Sequence, residues 1–342
     1  MSVKLSSAKV RHLNVLSDER GVIAAAAMDQ RGSLQGSIAA AQGIQKNEVT
    51  DEAMSEFKIA VSAVLTPHAS AILLDPQWGM AAAKVRQEGT GLLLSYEASG
   101  YDNTRPGRRA DLLSRLSARR ILDLGGNAVK ILIYYTPFED EVINDEKHAF
   151  VERVGSECAD VGMPFFLEFI GYDPAGGNEK GLDFARKKPQ VVIESMKEFS
   201  KDRYQVDVLK VEIPVNLTYA EGASVYKGER AYGKEEALDM YREAAEAAGK
   251  PFIYLSAGVS NDQFTESLRW AAEAEVRFSG VLCGRATWKD GIPIYAESGP
   301  AALEDWLRGK GIRNIEAVNE CLRQAKPWWE SYGASAPEDL TT

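Results

Sequence analysis

The sequence predicts a (β/α)8 TIM barrel with extra N- and C-terminal helices, and three observations carry that prediction. Eight short apolar runs alternate with segments of helical periodicity, which is the pattern of parallel βα units. The eight units occupy about 270 residues, a length that suits one closed barrel better than an open doubly wound sheet. No GxGxxG follows any of the runs, which counts against a dinucleotide-binding sheet. The domain expected is a single barrel over residues 1–332, with a frayed, flexible tail over 333–342.

The elements follow in order along the chain. An amphipathic segment, Ser6–Leu16, precedes the first run, GVIAAAAMDQRGS, and a helix over Glu48–Leu65 leads to the second, HASAILLDPQWG. TGLLLSYEASG is the third run. A helix carrying Arg108, Arg109, Arg115, Arg119 and Arg120 on its polar side is expected before the fourth, NAVKILIYYTP. Helix Glu139–Val161 leads to PFFLEFIGYD, and helix Leu182–Phe199 leads to VDVLKVEIPVN. A loop of mixed charge and a helix over Lys234–Ala248 precede PFIYLSAGVS. Helix Asp262–Ala274 precedes FSGVLCGRATW, and helices near Pro300–Gly309 and Ile312–Trp329 close the chain.

A net charge of −10 argues against nucleic acid and anionic membrane surfaces as partners. No stretch approaches 18 apolar residues and no signal-peptide pattern is visible, so a cytoplasmic protein is expected. The three cysteines are far apart and read as reduced thiols, with Cys283 a buried small hydrophobe; the three histidines are equally scattered, so no metal cluster is visible and no cofactor is expected.

The functional face of a barrel lies at the C-terminal ends of its strands, where this sequence gathers charge: Asp29, Arg31, Asp75, Glu97, Lys130, Glu168, Lys210, Glu212 and Arg285. Lys130, Glu168 and Lys210 fall on three successive strands, each after apolar residues, and are expected side by side at equivalent depth. One buried charge is easily accidental, but three on adjacent strands are hard to explain by packing, because each carries a desolvation cost. Such a set suits amine catalysis: a neutral lysine attacks a ketone, and a neighbouring carboxyl group moves the protons. On spacing alone either Lys210 or Lys130 serves as nucleophile. The seventh and eighth loops, Ser256–Ser260 and Gly284–Thr287, are where barrels commonly hold phosphate. Small residues there admit backbone N–H groups, and Arg285 can donate a bidentate pair. Asp29, Gln30 and Arg31 read either as a hydroxyl-binding group or as a structural ion pair closing the barrel mouth. Trp328 and Trp329 read as an anchor on the barrel or a subunit partner.

The blocks AMDQRGSL, LLDPQWG, GLLLSYEASGYD, ERVGSEC, PFFLEFIGYD, DVLKVEIPVN, YLSAGVS and GVLCGRATW resemble, in order from about Leu16 to Trp329, the class I tagatose 1,6-bisphosphate aldolases. The resemblance implies metal-free cleavage of a ketose bisphosphate to dihydroxyacetone phosphate and glyceraldehyde 3-phosphate. It assigns the Schiff base to Lys210, acid/base work to Glu168, and partnering roles to Lys130 and Asp29. Phosphate contacts fall on Ser256, Gly258, Gly284 and Arg285, and Gln30 and Arg31 join the substrate-binding set. It also suggests a homodimer. Departures fall in Glu221–Glu236 and at Gly171, where a glycine is expected to loosen the wall beside Glu168. The alternatives are the same chemistry on another ketose phosphate, such as 6-deoxy-6-sulfofructose 1-phosphate, a non-catalytic sugar-phosphate sensor, and a metal-dependent aldolase.

Overall fold

The structure, a computed structural model, describes residues 4–341. Met1–Val3 and Thr342, the outermost ends of the expected domain and tail, lie outside the described residues. Eight parallel strands close into a barrel in sequence order: β1 (Ile23–Met28), β2 (Ala71–Leu74), β3 (Gly91–Ser95), β4 (Ala128–Tyr134), β5 (Phe165–Ile170), β6 (Val208–Val211), β7 (Phe252–Leu255) and β8 (Gly280–Cys283). Around them run α1 (Ser7–Leu16), α2 (Gly32–Gln42), α3 (Asp51–Leu65), α4 (Met80–Val85), α5 (Ala118–Asp123), α6 (Glu141–Asp160), α7 (Leu182–Phe199), α8 (Lys234–Ala247) and α9 (Asn261–Glu273). The chain finishes with α10 (Arg285–Trp288), α11 (Ile292–Trp306) and α12 (Ile312–Glu320).

Two-residue alternation along each strand divides the core. Ala25, Ala27, Leu73, Leu93, Ala128, Phe166, Val208, Ile253 and Leu282 fill the barrel interior. Their neighbours, such as Ile72, Val129, Leu167 and Leu209, pack outward against the helices. Apolar inward positions are followed two residues later by inward charge: Ala27 by Asp29, Ala128 by Lys130, Phe166 by Glu168 and Val208 by Lys210. The period of the strand therefore aims the charged set into the mouth. Helix starts follow local chemistry: the side chains of Thr50, Ser117, Asp140 and Ser260 accept backbone N–H groups at the N-termini of α3, α5, α6 and α9.

Four expectations need correction. Lys130, Glu168 and Lys210 are not level: Glu168 pairs in register with Lys210 but with Leu132 on β4, while Lys130 aligns with Phe166. The stagger of a closed barrel produces this offset, and the long lysine side chain spans it. The arginine-rich stretch is not one helix. Pro106 and Gly107 break it, Gly107 and Arg108 have φ of 91° and 48°, and helix begins only after Ser117. The helix expected near Pro300 is present: Gly299, whose φ is 75°, separates it from a preceding helical stretch that begins at Ile292, the two together forming α11. The one expected over Ile312–Trp329 ends at Glu320 and continues as short 3-10 turns over Cys321–Gln324 and Trp328–Tyr332.

The fourth correction concerns the tail. Pro337–Leu340 forms a 3-10 turn, Leu340 is fully buried, and its carbonyl accepts the N–H of Leu5 at 2.8 Å. Leu340 joins Leu13, Leu16, Trp328 and Tyr332 in the cluster that seals the N-terminal end of the barrel. Trp328 is the expected anchor, wholly buried, while the Trp329 ring occupies the space a Cβ on Gly21 would need.

Candidate active site

The inward charges meet at the C-terminal ends of the strands, beside a cavity of about 860 Å³, a size that suits a small-molecule ligand. Lys210 Nζ donates to Glu168 Oε2 at 2.8 Å. Lys130 Nζ lies 2.7 Å from that same oxygen, 2.9 Å from Asp29 Oδ2 and 2.9 Å from Glu97 Oε1. Arg31 donates to the Glu97 carbonyl at 2.7 Å and stands 3.7 Å from its carboxylate. Three cations (Lys130, Lys210, Arg31) thus face three carboxylates (Asp29, Glu97, Glu168), so the buried cluster is close to neutral. That balance is what makes so much buried charge tolerable.

The titration directions follow from this packing. Burial disfavours the charged form of Lys130, but Asp29, Glu168 and Glu97 outweigh it and hold the ammonium well above the ordinary lysine value. Burial would likewise raise Glu168, but Lys130 and Lys210 bring its carboxyl below the usual range. Asp29 is likewise depressed, against burial, by Lys130 and Lys210 together. Glu97 goes the other way: burial outweighs Lys130 and Arg31 and raises it. The site therefore combines an ammonium held charged, carboxylates held ionised and one carboxyl nearer to taking a proton.

Ser256, Gly258, Gly284 and Arg285, from the ends of β7 and β8, also line the cavity. Ala257 and Gly258 take φ of 48° and 78°, a left-handed pair that favours glycine. A Cβ on Gly258 would stand 2.8 Å from Arg285 Cζ, so the guanidinium is packed onto that turn. Lys289 Nζ donates to the Gly258 carbonyl at 2.9 Å and also holds the turn. A Cβ on Gly284 would stand 2.8 Å from the Ala27 carbonyl, so glycine there lets β8 close on β1. Ser260 caps α9 and so serves the helix. Gln30 Nε2 donates to Asp29 Oδ1 at 3.2 Å, while its Oε1 is buried without a partner among the described residues. Burial raises the Cys283 thiol to about 12, with a hydrogen bond to Ser256 opposing, in keeping with an inert small side chain.

Glu212 does not pair with Lys210. Its Oε2 accepts the Gly171 N–H at 2.8 Å and its Oε1 lies 3.2 Å from Lys188 Nζ. Gly171 does not loosen the wall either: a Cβ there would stand 2.9 Å from Val191 Cγ1. Sequence reasoning noted Glu97 at a strand end but gave it no role, and it missed Lys188 and Lys58. Both lysines sit on helices, where a lysine ordinarily marks the solvent face, so no sequence signal distinguishes them.

The family model described as DeoC/LacD family aldolase matches residues 23–290. A tagatose 1,6-diphosphate aldolase of Listeria monocytogenes serotype 4b (strain CLIP80459) is 50% identical over 334 residues, 97% of this chain and 97% of that protein. Tagatose 1,6-diphosphate aldolase 2 of Enterococcus faecalis (strain ATCC 700802 / V583) is 48% identical over 327 residues, 96% and 97% of the two chains. Among solved structures, the fructose-bisphosphate aldolase from Plasmodium falciparum superposes with a TM-score of 0.68 at 11% identity, covering 95% of this chain and 98% of that one. An archaeal fructose-1,6-bisphosphate aldolase, solved with its catalytic lysine bound to the carbinolamine intermediate, gives 0.55 at 13% identity, covering 92% and 98%. At such identities the two structures speak to the fold alone.

Proposed function

The chain belongs to the DeoC/LacD family of aldolases, and on that footing we propose that it cleaves tagatose 1,6-bisphosphate to dihydroxyacetone phosphate and glyceraldehyde 3-phosphate through a Schiff base on Lys210. The observation that carries the reading is the single oxygen, Glu168 Oε2, shared by two buried ammonium groups at 2.7 and 2.8 Å.

The steps follow from that geometry. Lys210 first passes one ammonium proton to Glu168; the neutral amine then adds to the C2 ketone, and a second proton lost by the nitrogen converts the C2 alkoxide to the carbinolamine hydroxyl. Glu168 returns a proton to the carbinolamine hydroxyl, which leaves as water and forms the iminium. As a carboxylate again, it removes the proton of the C4 hydroxyl. The C3–C4 bond breaks, its electron pair passes into the iminium to give an enamine, and C4 departs as the aldehyde of glyceraldehyde 3-phosphate. Protonation at C3 and addition of water release dihydroxyacetone phosphate and the free lysine. Lys130 keeps Glu168 ionised between proton transfers. Asp29 and the unpartnered Gln30 Oε1 are placed to accept substrate hydroxyls, with Arg31 fixing the wall beside them. The phosphate next to the ketone is assigned to Ser256, Gly258, Gly284 and Arg285, whose small residues and guanidinium suit an anion. Cytoplasmic location and a homodimer belong to the same proposal. Among the described residues no helix is long and apolar enough to cross a membrane.

A coupled assay tests the function. Tagatose 1,6-bisphosphate should yield both triose phosphates in equal amounts, at an unchanged rate after exhaustive EDTA treatment. Loss of turnover with the chelator, restored by a divalent metal, would contradict the proposal.

A further inference from the structure

We propose that Lys58, which touches no substrate, is a positioning residue that holds the loop of Asp29, Gln30 and Arg31 against Lys130. The inference rests on the aldolase reading above. Lys58 sits in the middle of α3 and is fully buried, as is Asp75 at the end of β2. Its ammonium donates to the carbonyls of Met28 at 2.7 Å and Gln30 at 2.8 Å, and lies 2.7 Å from Asp75 Oδ2. The ammonium thus uses two N–H groups on backbone carbonyls and is balanced by the Asp75 carboxylate as an ion pair. The two carbonyls belong to the residues on either side of Asp29, so one side chain grips the backbone before and after the carboxylate.

The neighbouring contacts stiffen this grip. Asp75 uses its other oxygen for the N–H groups of Gln77 and Trp78, at 3.0 and 2.8 Å, which fixes the turn on which it stands. Trp288 Nε1 donates to the Ala27 carbonyl at 2.9 Å. Carbonyls 27, 28 and 30 are therefore all held by buried side chains from α10 and α3. What emerges on the cavity side is Asp29, 2.9 Å from Lys130. Lys58 does not line the cavity, so it acts only through this loop. A buried ion pair is commonly replaceable by apolar residues of similar volume without loss of stability. Fold stability alone therefore leaves unexplained why two of three N–H groups flank one site carboxylate.

The test is the double variant Lys58→Met/Asp75→Leu, which removes both charges and leaves no buried ion orphaned. With the fold intact by near-UV circular dichroism, kcat for bisphosphate cleavage should fall about tenfold or more. The inhibition constant of inorganic phosphate should stay within about twofold, and borohydride should still trap dihydroxyacetone phosphate on Lys210. A folded double variant with wild-type kcat overturns the proposal, and so does a parallel loss of phosphate affinity, which would mean general slackening. If that variant does not fold, Lys58→Leu/Asp75→Asn, which removes the donors at position 58 while keeping an acceptor for the Gln77 and Trp78 N–H groups, is measured against the same criteria. Failure of both to fold assigns Lys58 to stability and likewise overturns the role. A wild-type protein that neither cleaves nor traps sinks the aldolase reading itself. Wild-type turnover with an unimpaired double variant sinks only the role of Lys58.

Discussion

Glu168 Oε2, held between Lys130 and Lys210, sets the behaviour of the site at the residue scale. A carboxylate that accepts from both ammoniums can shuttle a proton, and an amide in its place cannot. Glu168→Gln should therefore lower kcat per folded molecule by about 10²–10⁴-fold, measured in the coupled cleavage assay. Lys130 acts through charge. The depressed pKa values of Glu168 and Asp29 stabilise the fold at neutral pH, and that contribution is lost as pH falls through their folded values. The raised value of Lys130 contributes below the ordinary lysine pKa and is lost as pH rises through its elevated folded value. The cluster is thus matched across the neutral range and weakens at both ends. Lys130→Met leaves three carboxylates facing one another, so the acid limb of the kcat profile should move up by about one to three pH units. An unmoved limb would contradict the electrostatic role. The lysines and glutamate of strands four to six were legible because charge interrupting an apolar strand is conspicuous. Lys58 was not, because a lysine within a helical period looks solvated until tertiary packing buries it.

At the scale of elements, the turn after β7 shows how backbone conformation shapes the proposed phosphate-binding end. Gly258 combines φ of 78° with a site for Cβ only 2.8 Å from Arg285 Cζ. Gly258→Ala should cost about 1–3 kcal/mol in strain and displace the guanidinium. The inhibition constant of inorganic phosphate should rise about tenfold, equivalent to about 1.4 kcal/mol, while a wild-type value would detach Arg285 from phosphate binding. The eight strands were readable because each is a short apolar run with a turn at its end. Their stagger was not, since register depends on barrel closure rather than on any one strand. The stretch from Glu97 to Ser117 misled because recurring arginines, continued by Arg119 and Arg120, imitate the polar face of a helix. In the fold Arg108 instead pairs with Glu179 at 2.6 Å and stands over the rings of Tyr101, Tyr134 and Tyr172.

The whole molecule separates chemistry from stability along the barrel axis. At the end opposite the site, Lys9 pairs with Asp207 at 2.7 Å, and Tyr332 donates to the Asp207 carbonyl at 2.7 Å. Leu5 and Leu340 meet there over the floor of the barrel. Leu340→Ala should destabilise the protein by about 2–5 kcal/mol, read by denaturant unfolding, with kcat per folded molecule unchanged. A fully neutral substitution would show that the segment is not part of the core. Polar composition disguised this docking in the sequence, because one leucine and one backbone pairing do most of the work and neither makes a pattern.

The most direct test of the central claim is borohydride reduction in the presence of dihydroxyacetone phosphate, followed by intact mass and peptide mapping. The account predicts one reduced adduct per chain, on Lys210, and none in Lys210→Met. An adduct confined to Lys130, or no adduct while the ligand is shown to bind, would contradict it.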